Sequence, residues 1–387
     1  MMLFLLAAIL LYAVPHLALF VWIQRLLPPS PLIRIAVLLF LLALMAAFYA
    51  GFALYRLDHP AGRFLLPVAF LWMAFVFWAF CAGTAVELWN LAARTLPLPL
   101  PPLAPMKRLL LMGAVCALAF LGSVWEAHTL RIRRVTLPLL SPTAAALRIA
   151  HLSDLHLGGL SPRRHRQRLT ETLVALQPDL LLSSGDFIDA PVARIEPDLA
   201  AFAALNPPLG KYGVLGNHEF YQGLDQAIAA HTRAGFRLLR GEWVEIAPSL
   251  IVAGVDDRDG HRLGHRAATD EGHAIPETSD GRAVVLLLKH RPSVSPAAAQ
   301  RADLQLSGHT HGGQIFPFGV FVRLFNPRLA GWFRISSRLR LYVSRGVGFW
   351  GPPLRLLAPP EITLIELVPR PASVSLSPIP PEQETLQ

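Results

Sequence analysis

The segment Ser307–Gln314, SGHTHGGQ, places His309 and His311 two positions apart inside a glycine-rich turn, directly after the run Leu304–Leu306. A turn of this kind after a strand lets the backbone come close to a ligand. Imidazole is the commonest metal ligand in proteins. We therefore interpret the segment as a metal site at the end of a strand. On these residues alone, the alternative is a polar turn whose histidines are solvated.

The composition predicts membrane segments in the N-terminal third of the chain. Of the 387 residues, 53% are hydrophobic, which is more than soluble domains usually carry. Four stretches contain no Asp, Glu, Lys or Arg, and each is long enough, or nearly so, to cross about 30 Å of hydrocarbon. The sequence therefore predicts a transmembrane region over residues 1–127. Its four predicted helices are Met1–Gln24, Ile35–Tyr55, Phe64–Val86 and Leu109–Trp125.

The topology of this region is only partly defined by the sequence. An even number of crossings places the N-terminus and the C-terminal domain on the same side, and the basic residues of the loops are equally divided between the two sides. The first stretch could instead be a signal peptide, but it lacks a basic start and a clear small-residue cleavage site. Cys81 and Cys116 both fall in predicted membrane helices, so no disulfide framework is expected in the rest of the chain.

Residues 136–367 have the pattern of one globular α/β domain. Short apolar runs, which we interpret as buried strands, alternate with helical patterns at Arg163–Leu176, Asp198–Leu205 and Leu224–Ala234. The last 20 residues, 368–387, are rich in Pro and Ser and are predicted to be disordered.

Polar side chains follow five of the predicted strands. In open α/β sheets, ligands bind beyond the carboxyl ends of the strands, so we expect these groups to converge although they are far apart in the chain. In chain order, they are Asp154 and His156 after LRIAHLS, Asp186 after DLLLSS, Asn217, His218 and Glu219 after YGVL, His290 after AVVLLL, and His309 and His311 after DLQLS.

In this order the five blocks read D-x-H, G-D, G-N-H-E, H and G-H-x-H, a pattern that resembles the calcineurin-like metallophosphoesterases. The resemblance covers Asp154 to His311. The segment Tyr342–Leu367 resembles the membrane-associated bacterial branch of that family and its animal relative, a transmembrane protein with a metallophosphoesterase domain. The resemblance implies an α/β sandwich of two β-sheets flanked by helices.

The resemblance also implies a site for two divalent metal ions. Carboxylate and imidazole ligands suit Mn, Fe, Zn or Co, and a pair of such ions activates water and neutralises phosphoryl oxygens. His218 would lie beside the metals, oriented by a carboxylate, and protonate the leaving oxygen. The implied ligands are Asp154, His156 and His311 for the first metal, Asn217, His290 and His309 for the second, and Asp186 as the bridge between them.

The function implied is that of a membrane-anchored phosphoesterase in a bacterial inner membrane. Its expected substrate is lipid-linked, such as UDP-2,3-diacylglucosamine in lipid A biosynthesis, which would place the catalytic domain in the cytoplasm. Alternatives are a general phosphodiesterase acting on another phospholipid or a soluble substrate, and a non-catalytic metal-binding membrane sensor. A nucleic acid partner is not expected, because no DNA-capping domain is visible and a net charge of +9 fits anionic lipid equally well.

The segment Gly312–Pro360 contains seven arginines, no acidic residue and many aromatic side chains. One hypothesis is that it forms a membrane-facing lip of the site, with aromatics at the headgroup boundary and Arg334, Arg338 and Arg345 on lipid phosphates. The alternative is that the aromatics are core residues and the arginines a solvated rim.

Two further groups of residues remain open in the sequence. Asp256 and Asp257 follow the run LIVAGV and could line the entrance for substrate. The loop behind them contains His261, His265 and His273, which could form a third metal site or belong to a surface loop.

Overall fold

The computed structural model describes residues 2–25, 29–97, 101–140, 145–277, 283–369 and 383–386. It contains two compact units, one comprising Met1–Trp125 with Gly351–Pro353 and the other Glu126–Trp350 with Leu354–Gln387. The second unit begins before the predicted start at Thr136, because Arg131–Leu140 already forms a strand of its first sheet.

The N-terminal part of the chain is helical. Three of its helices are long and apolar enough to cross a membrane, judged by length and composition. The sequence predicts four membrane-crossing helices, whereas the described residues contain three helices that meet these criteria. The helix that is not among these three is the first, for which the described side chains comprise only Tyr12–Gln24, an apolar piece of 13 residues. The four helices are α1 (Met2–Gln24), α2 (Pro31–Arg56), α3 (Pro60–Thr95) and α4 (Pro105–Ala127), of which α2, α3 and α4 qualify.

A proline lies at the start of three of these helices. Pro31, Pro60 and Pro105 each occupy the first helical position, where the missing N–H costs no hydrogen bond. Helix α3 has 36 residues, against the 23 predicted at Phe64–Val86, because its polar flanks continue the helix at both ends. At 1.5 Å per residue, α3 is roughly 54 Å long and exceeds the hydrocarbon thickness.

The second unit contains two β-sheets. The strands are β1 (Arg131–Leu140), β2 (Leu147–Leu152), β3 (Leu180–Ser183), β4 (Lys211–Gly213), β5 (Arg237–Leu238), β6 (Glu242–Ala247), β7 (Leu250–Val255), β8 (Val284–Lys289), β9 (Leu304–Ser307), β10 (Gly331–Arg334), β11 (Arg340–Val343), β12 (Glu361–Pro369) and β13 (Gln383–Leu386). The first sheet has the order β13-β1-β12-β2-β3-β4-β5 and the second β10-β11-β9-β8-β7-β6.

The two sheets pack face to face, as the resemblance implies. Apolar side chains of both inner faces meet in one core, for example Ile149 and Leu182 from the first sheet with Val252 and Leu286 from the second. Helices cover the outer faces, because central strands such as β3, β7 and β9 are buried on both sides. The helices of this unit are α5 (Arg163–Leu176), α6 (Val192–Ala203), α7 (Asn217–Gln222), α8 (Leu224–Arg233), α9 (Asp259–Arg262), α10 (Glu271–Ala274), α11 (Pro296–Arg301) and α12 (Phe318–Phe325).

The C-terminal residues differ in part from the predicted disordered tail. Val368 and Pro369 complete β12, and Gln383–Leu386 pair with β1 as the antiparallel strand β13. For these residues the prediction is wrong, because β1 at the edge of the sheet offers backbone groups to a further strand. Residues 370–382 and 387 lie outside the described residues.

Glu361, the first residue of β12, joins the two sheets through a buried carboxylate. Its Oε2 accepts hydrogen bonds from Arg133 Nε of β1 and from Arg345 Nη1, each at 2.8 Å. Its Oε1 accepts one from the Tyr342 hydroxyl of β11 at 2.6 Å. Burial alone would raise the pKa of Glu361, but the guanidiniums of Arg345 and Arg133 outweigh it and hold the pKa below its ordinary value.

We expect Glu361→Ala to reduce the free energy of unfolding by about 3–5 kcal/mol, because two arginines and a tyrosine would lose a buried partner. A lowered pKa means that the carboxylate stabilises the fold at neutral pH and that this contribution is lost as the pH falls through the lowered pKa. Denaturant unfolding of the full chain in detergent measures both effects. The control is Glu366→Ala on the same strand, and an equal loss for both variants would contradict the assignment.

Candidate metal centre

The donor side chains follow strands of both sheets at the same end of the sandwich. In the first sheet β2, β3 and β4 run parallel to one another, and in the second β8 and β9 do so. Their carboxyl ends lead into short turns, and every metal ligand expected from the sequence lies in one of these turns or at the start of α7. The topology therefore brings together residues from Asp154 to His311.

A first group of donors consists of Asp154, His156 and His311. His156 Nε2 lies 3.1 Å from His311 Nε2, which lies 3.4 Å from Asp154 Oδ1. All three side chains are buried. The structure thus assembles the set expected for the first metal.

A second group surrounds His290, whose Nδ1 donates to the Ser184 carbonyl at 3.0 Å, so that Nε2 of the neutral ring is the atom that can bind a cation. This Nε2 lies 3.2 Å from each of Asp186 Oδ2, Asn217 Oδ1 and His309 Nδ1. The structure thus assembles the set expected for the second metal.

Asp186 belongs to both groups through one oxygen atom. The Oδ2 atom that lies 3.2 Å from His290 also lies 3.8 Å from His156 Nε2 of the first group. Asp186 therefore connects the two donor groups through its carboxylate. This is the position required of a bridging ligand.

The donor sets fit two divalent transition metals. Ligand atoms about 2.0–2.2 Å from one ion are separated from one another by roughly 3.0–3.6 Å, which matches most of the distances above. Acceptor atoms that face one another in a buried site need a proton or a cation between them. Two carboxylates, four imidazoles and one amide are the donors that Mn, Fe, Co and Zn share.

The turns that carry these ligands have unusual backbone conformations. Five of the seven expected ligand residues have a positive φ, between 48° and 73°, a region that side chains other than glycine seldom adopt. Each such residue costs of order 1 kcal/mol or more, and backbone strain of this kind concentrates at functional sites. The five residues are Asp154, His156, Asp186, His309 and His311.

Two glycines allow the turns to approach one another. A Cβ atom on Gly308 would overlap Asp154 Oδ2, and one on Gly216 would overlap Asp186 Oδ1. Both glycines therefore leave the space in which a ligand carboxylate lies, which explains the glycines before His309 and Asn217 in the motifs.

His218 lies beside the donor groups and is oriented by Asp189. His218 Nδ1 lies 2.6 Å from Asp189 Oδ1, and the other carboxylate oxygen lies 3.0 Å from His156 Nδ1. Burial lowers the pKa of His218, but among the protein groups Asp189 and Asp186 outweigh it and raise the pKa to about 10. The sequence predicts an orienting carboxylate without assigning it. The available signal was that Asp189 follows Asp186 by three residues in the same turn.

Glu219 holds two of the ligand turns together. Its buried carboxylate accepts hydrogen bonds from the backbone N–H of Gly216 at 2.7 Å, of Asp186 at 3.0 Å and of Phe187 at 2.6 Å. These donors come from the turns after β3 and before α7. The relative position of the bridging aspartate and of His218 therefore depends on this side chain.

Arg291 is a further residue that the sequence did not single out. Its Nε donates to Asp257 Oδ2 at 2.7 Å and its Nη2 to Asp259 Oδ2 at 2.8 Å. The remaining nitrogen, Nη1, lies 3.1 Å from His309 Nε2, at the edge of the second donor group. Asp257, which the sequence suggested could line the substrate entrance, thus binds Arg291 at the edge of the site, whereas Asp256 binds Arg240.

The arginines expected at a membrane-facing lip have different environments. Arg334 is exposed at the end of β10. Arg338 is paired with Asp303 at 3.1 Å, and Arg345 with Glu361 at 2.8 Å. Two of the three guanidiniums therefore pair with carboxylates of the domain itself. These carboxylates lie outside the segment Gly312–Pro360, so the sequence of that segment did not reveal the pairs.

Arg355 of the same segment is fully buried. Its Nη1 donates to the carbonyls of His311, Arg345 and Ala358 at 3.2, 2.7 and 3.1 Å. Burial lowers the pKa of Arg355 to about 10. This side chain supports the turn of His311 from behind and does not belong to a solvated rim.

The loop histidines do not form a third metal site within the part of the chain that the structure describes. The donor clusters found there do not include His261, His265 or His273. His261 instead lies 3.2 Å from the Thr269 hydroxyl, and the ring of His265 packs against Phe220.

Comparison with known proteins identifies relatives of this chain. Residues 147–313 match the family described as calcineurin-like phosphoesterase. An uncharacterized metallophosphoesterase of Aquifex aeolicus is 40% identical over 244 residues, which are 62% of this chain and 93% of the relative. One from Helicobacter pylori is 29% identical over 83% of this chain and 86% of its own. A transmembrane protein with metallophosphoesterase domain of Danio rerio is 31% identical over 65% of this chain and 60% of its own.

These relatives confirm the resemblance first noted in the five motif blocks. The Aquifex relative is covered over almost its whole length, and the matched family region contains every ligand turn described above. The chain therefore belongs to the calcineurin-like metallophosphoesterase family, and it is a metal-dependent phosphoester hydrolase.

Proposed function

We propose that this protein hydrolyses a phosphoester or pyrophosphate bond of a lipid-linked substrate at a membrane, with Mn, Fe, Co or Zn in its two donor groups. The observation that carries the proposal is the position of Asp186 Oδ2, which lies within reach of both groups. When bound, the two cations would activate water and neutralise the charge of the phosphoryl oxygens.

Side chains of the protein supply proton donation, orientation and positioning in this proposed reaction. His218 directs its Nδ1 to Asp189, which leaves Nε2 to hold a proton for the leaving oxygen of the substrate. Asp189 fixes the orientation of that ring and also contacts His156, so we regard it as a positioning residue. Glu219 keeps Asp186 and His218 at a constant separation.

Arg291 is suited to bind the phosphoryl group. Two carboxylates hold its guanidinium, and its free edge lies beside His309. A planar guanidinium binds phosphate oxygens with two parallel hydrogen bonds. We infer that Arg291 turns this edge to a substrate oxygen, because a His309 that binds a cation through Nδ1 carries its proton on Nε2 and cannot accept from Arg291.

A lipid-linked substrate is favoured by the membrane character of the chain. Three helices are long and apolar enough to span a bilayer, and the Danio rerio relative is named a transmembrane protein. The narrower expectation of UDP-2,3-diacylglucosamine has no support among the relatives reported above, whose names mention no lipid. The cytoplasmic location of the catalytic domain was inferred from that substrate. Hydrolysis of another lipid phosphoester does not require a cytoplasmic location.

We expect Asp186→Asn to reduce hydrolysis of bis(p-nitrophenyl) phosphate by several orders of magnitude, because both cations would lose a shared ligand. The matched control is Asp225→Asn, the same change at an exposed position of α8. Metal content measured by mass spectrometry should fall from about two ions per chain in the control toward one or fewer in the variant.

Two results would contradict this assignment. Full activity in excess chelator would remove the metals from the reaction. Two tightly bound ions without hydrolysis of any diester would instead favour the metal-binding membrane sensor.

A pair of variants tests the leaving-group role of His218. We expect His218→Asn to lower kcat by about 10²–10⁴ for diesters with poor leaving groups and much less for p-nitrophenyl esters, with metal content retained. Asp189→Asn should show a weaker form of the same leaving-group dependence, because the ring would lose its orienting acceptor. A loss that is equal for all leaving groups would assign both residues a structural role, and loss of metal in His218→Asn would make it a ligand.

Substitution of Arg291 tests its proposed contact with substrate. We expect Arg291→Ala to raise KM for a soluble diester by roughly tenfold or more, in line with the loss of a charge-assisted hydrogen bond. Arg291→Lys should recover only part of this loss, because an ammonium cannot form the two parallel bonds. Arg240→Ala, which removes a partner of Asp256, is the control; unchanged KM in both Arg291 variants would reject the contact.

A further inference from the structure

Helix α12 presents its apolar side to solvent. None of its eight residues, FGVFVRLF, is buried, and Val320, Leu324 and Phe325 are 59%, 74% and 84% exposed. At 100° per residue, the five exposed apolar side chains lie within an arc of roughly 160°. These side chains are Phe318, Val320, Phe321, Leu324 and Phe325.

The opposite side of α12 is the one that packs on the domain. It carries Gly319, whose backbone meets that of Gly313; a Cβ atom on Gly313 would overlap the Gly319 Cα. A surface helix of a soluble domain normally buries its apolar side and exposes its polar side. In α12 the apolar side is exposed instead, and contiguous exposed apolar surface of this kind marks an interaction site.

The helix is fixed to the metal centre through a short connection. The turn His311–Gly313 contains a metal ligand, and α12 begins five residues after it. Thr310, directly before that turn, donates its hydroxyl hydrogen to the Leu329 carbonyl beyond the helix. Whatever binds the exposed side of α12 is therefore held next to the donor groups.

The charge around α12 favours an anionic surface. The helix contains no acidic residue, and none occurs between Gly312 and Pro360. Arg323 on the flank of the helix and Arg334 at the end of β10 are both exposed. Aromatic and aliphatic side chains with arginines at their margin are the composition of helices that lie in the interface of a membrane.

We propose that α12 is a membrane-inserting helix, whose exposed side chains enter the boundary between headgroups and acyl chains of an anionic bilayer. The same chain carries three helices that are long and apolar enough to span a membrane, and a domain attached to such helices stays within reach of a bilayer, whereas a protein partner must be met by diffusion. An inserted α12 would let a lipid phosphoester reach the metal centre while its acyl chains stay in the membrane. This consequence for the substrate rests on the proposed function.

Site-specific fluorescence of the full chain tests the insertion. With Cys81 and Cys116 replaced by Ala, Leu324→Cys is labelled with an NBD fluorophore and reconstituted in nanodiscs of phosphatidylcholine and phosphatidylglycerol. We expect quenching by a nitroxide attached to the lipid acyl chain and iodide quenching that is about fivefold weaker than for a label in water. Val320→Cys on the same side should behave alike, and the control is Val174→Cys on α5, another exposed apolar position.

Each other outcome overturns the proposal. Iodide quenching at Leu324 equal to that at Val174 would place the helix in water. Protection from iodide without quenching by the lipid nitroxide would mean that protein covers this side, either a second copy of the chain or another partner.

Hydrolysis distinguishes a failure of insertion from a failure of the proposed function. The probes are bis(p-nitrophenyl) phosphate in solution and phosphatidyl-p-nitrophenol in the same nanodiscs. We expect Leu324→Glu with Phe325→Glu to lower the ratio of lipid to soluble turnover about tenfold, and Val174→Glu to leave that ratio unchanged. If the unmodified chain hydrolyses neither probe in the presence of metal, this result counts against the proposed function. The quenching result does not depend on hydrolysis. An unchanged ratio in the double variant would count against α12.

Discussion

The buried carboxylate of Glu219 is the interaction on which the geometry of the site depends. Three backbone N–H groups from two separate turns converge on it, at 2.6–3.0 Å. Burial raises the pKa of Glu219 to about 7, and each of these three hydrogen bonds to its carboxyl group positions a turn. Because Asp186 Oδ1 in turn accepts from the His218 backbone N–H at 2.9 Å, the bridging ligand and the proposed proton donor are connected through the same pair of turns.

Much of the fold and the convergence of the expected ligand side chains could be predicted from the sequence, for a physical reason. Apolar runs are buried on both faces in the central strands, so β2, β3, β4, β7, β8 and β9 were visible in the sequence, and ligands gather where parallel strands end. Helix α5 begins and ends where the helical pattern predicts. The structure gathers the seven expected ligand residues into two groups, as their residue types and their order after the strands indicated.

The features that escaped prediction are those that depend on tertiary partners. Arg355 looked like a surface residue because arginine is seldom buried, and only the fold shows the carbonyls that surround it. Asp189 could have been any nearby carboxylate until its distance to His218 was known. The sequence left open whether the aromatic residues of Gly312–Pro360 belong to a core or to a membrane-facing lip, because the glycine that turns the opposite side of α12 inward gives no clear signal.

The left-handed backbone of five ligand residues affects how substitutions at this site are to be interpreted. Alanine at φ near 50° experiences a clash between its Cβ and the following carbonyl oxygen, whereas asparagine tolerates this region through its short polar side chain. Alanine scanning would therefore mix the loss of a donor with a local rearrangement of the turn. At Asp154 and Asp186, asparagine keeps both the side-chain shape and the backbone preference and changes mainly the charge. Sequence drift at these positions should follow the same rule, with asparagine or glycine appearing before other residues in chains that have lost their metals.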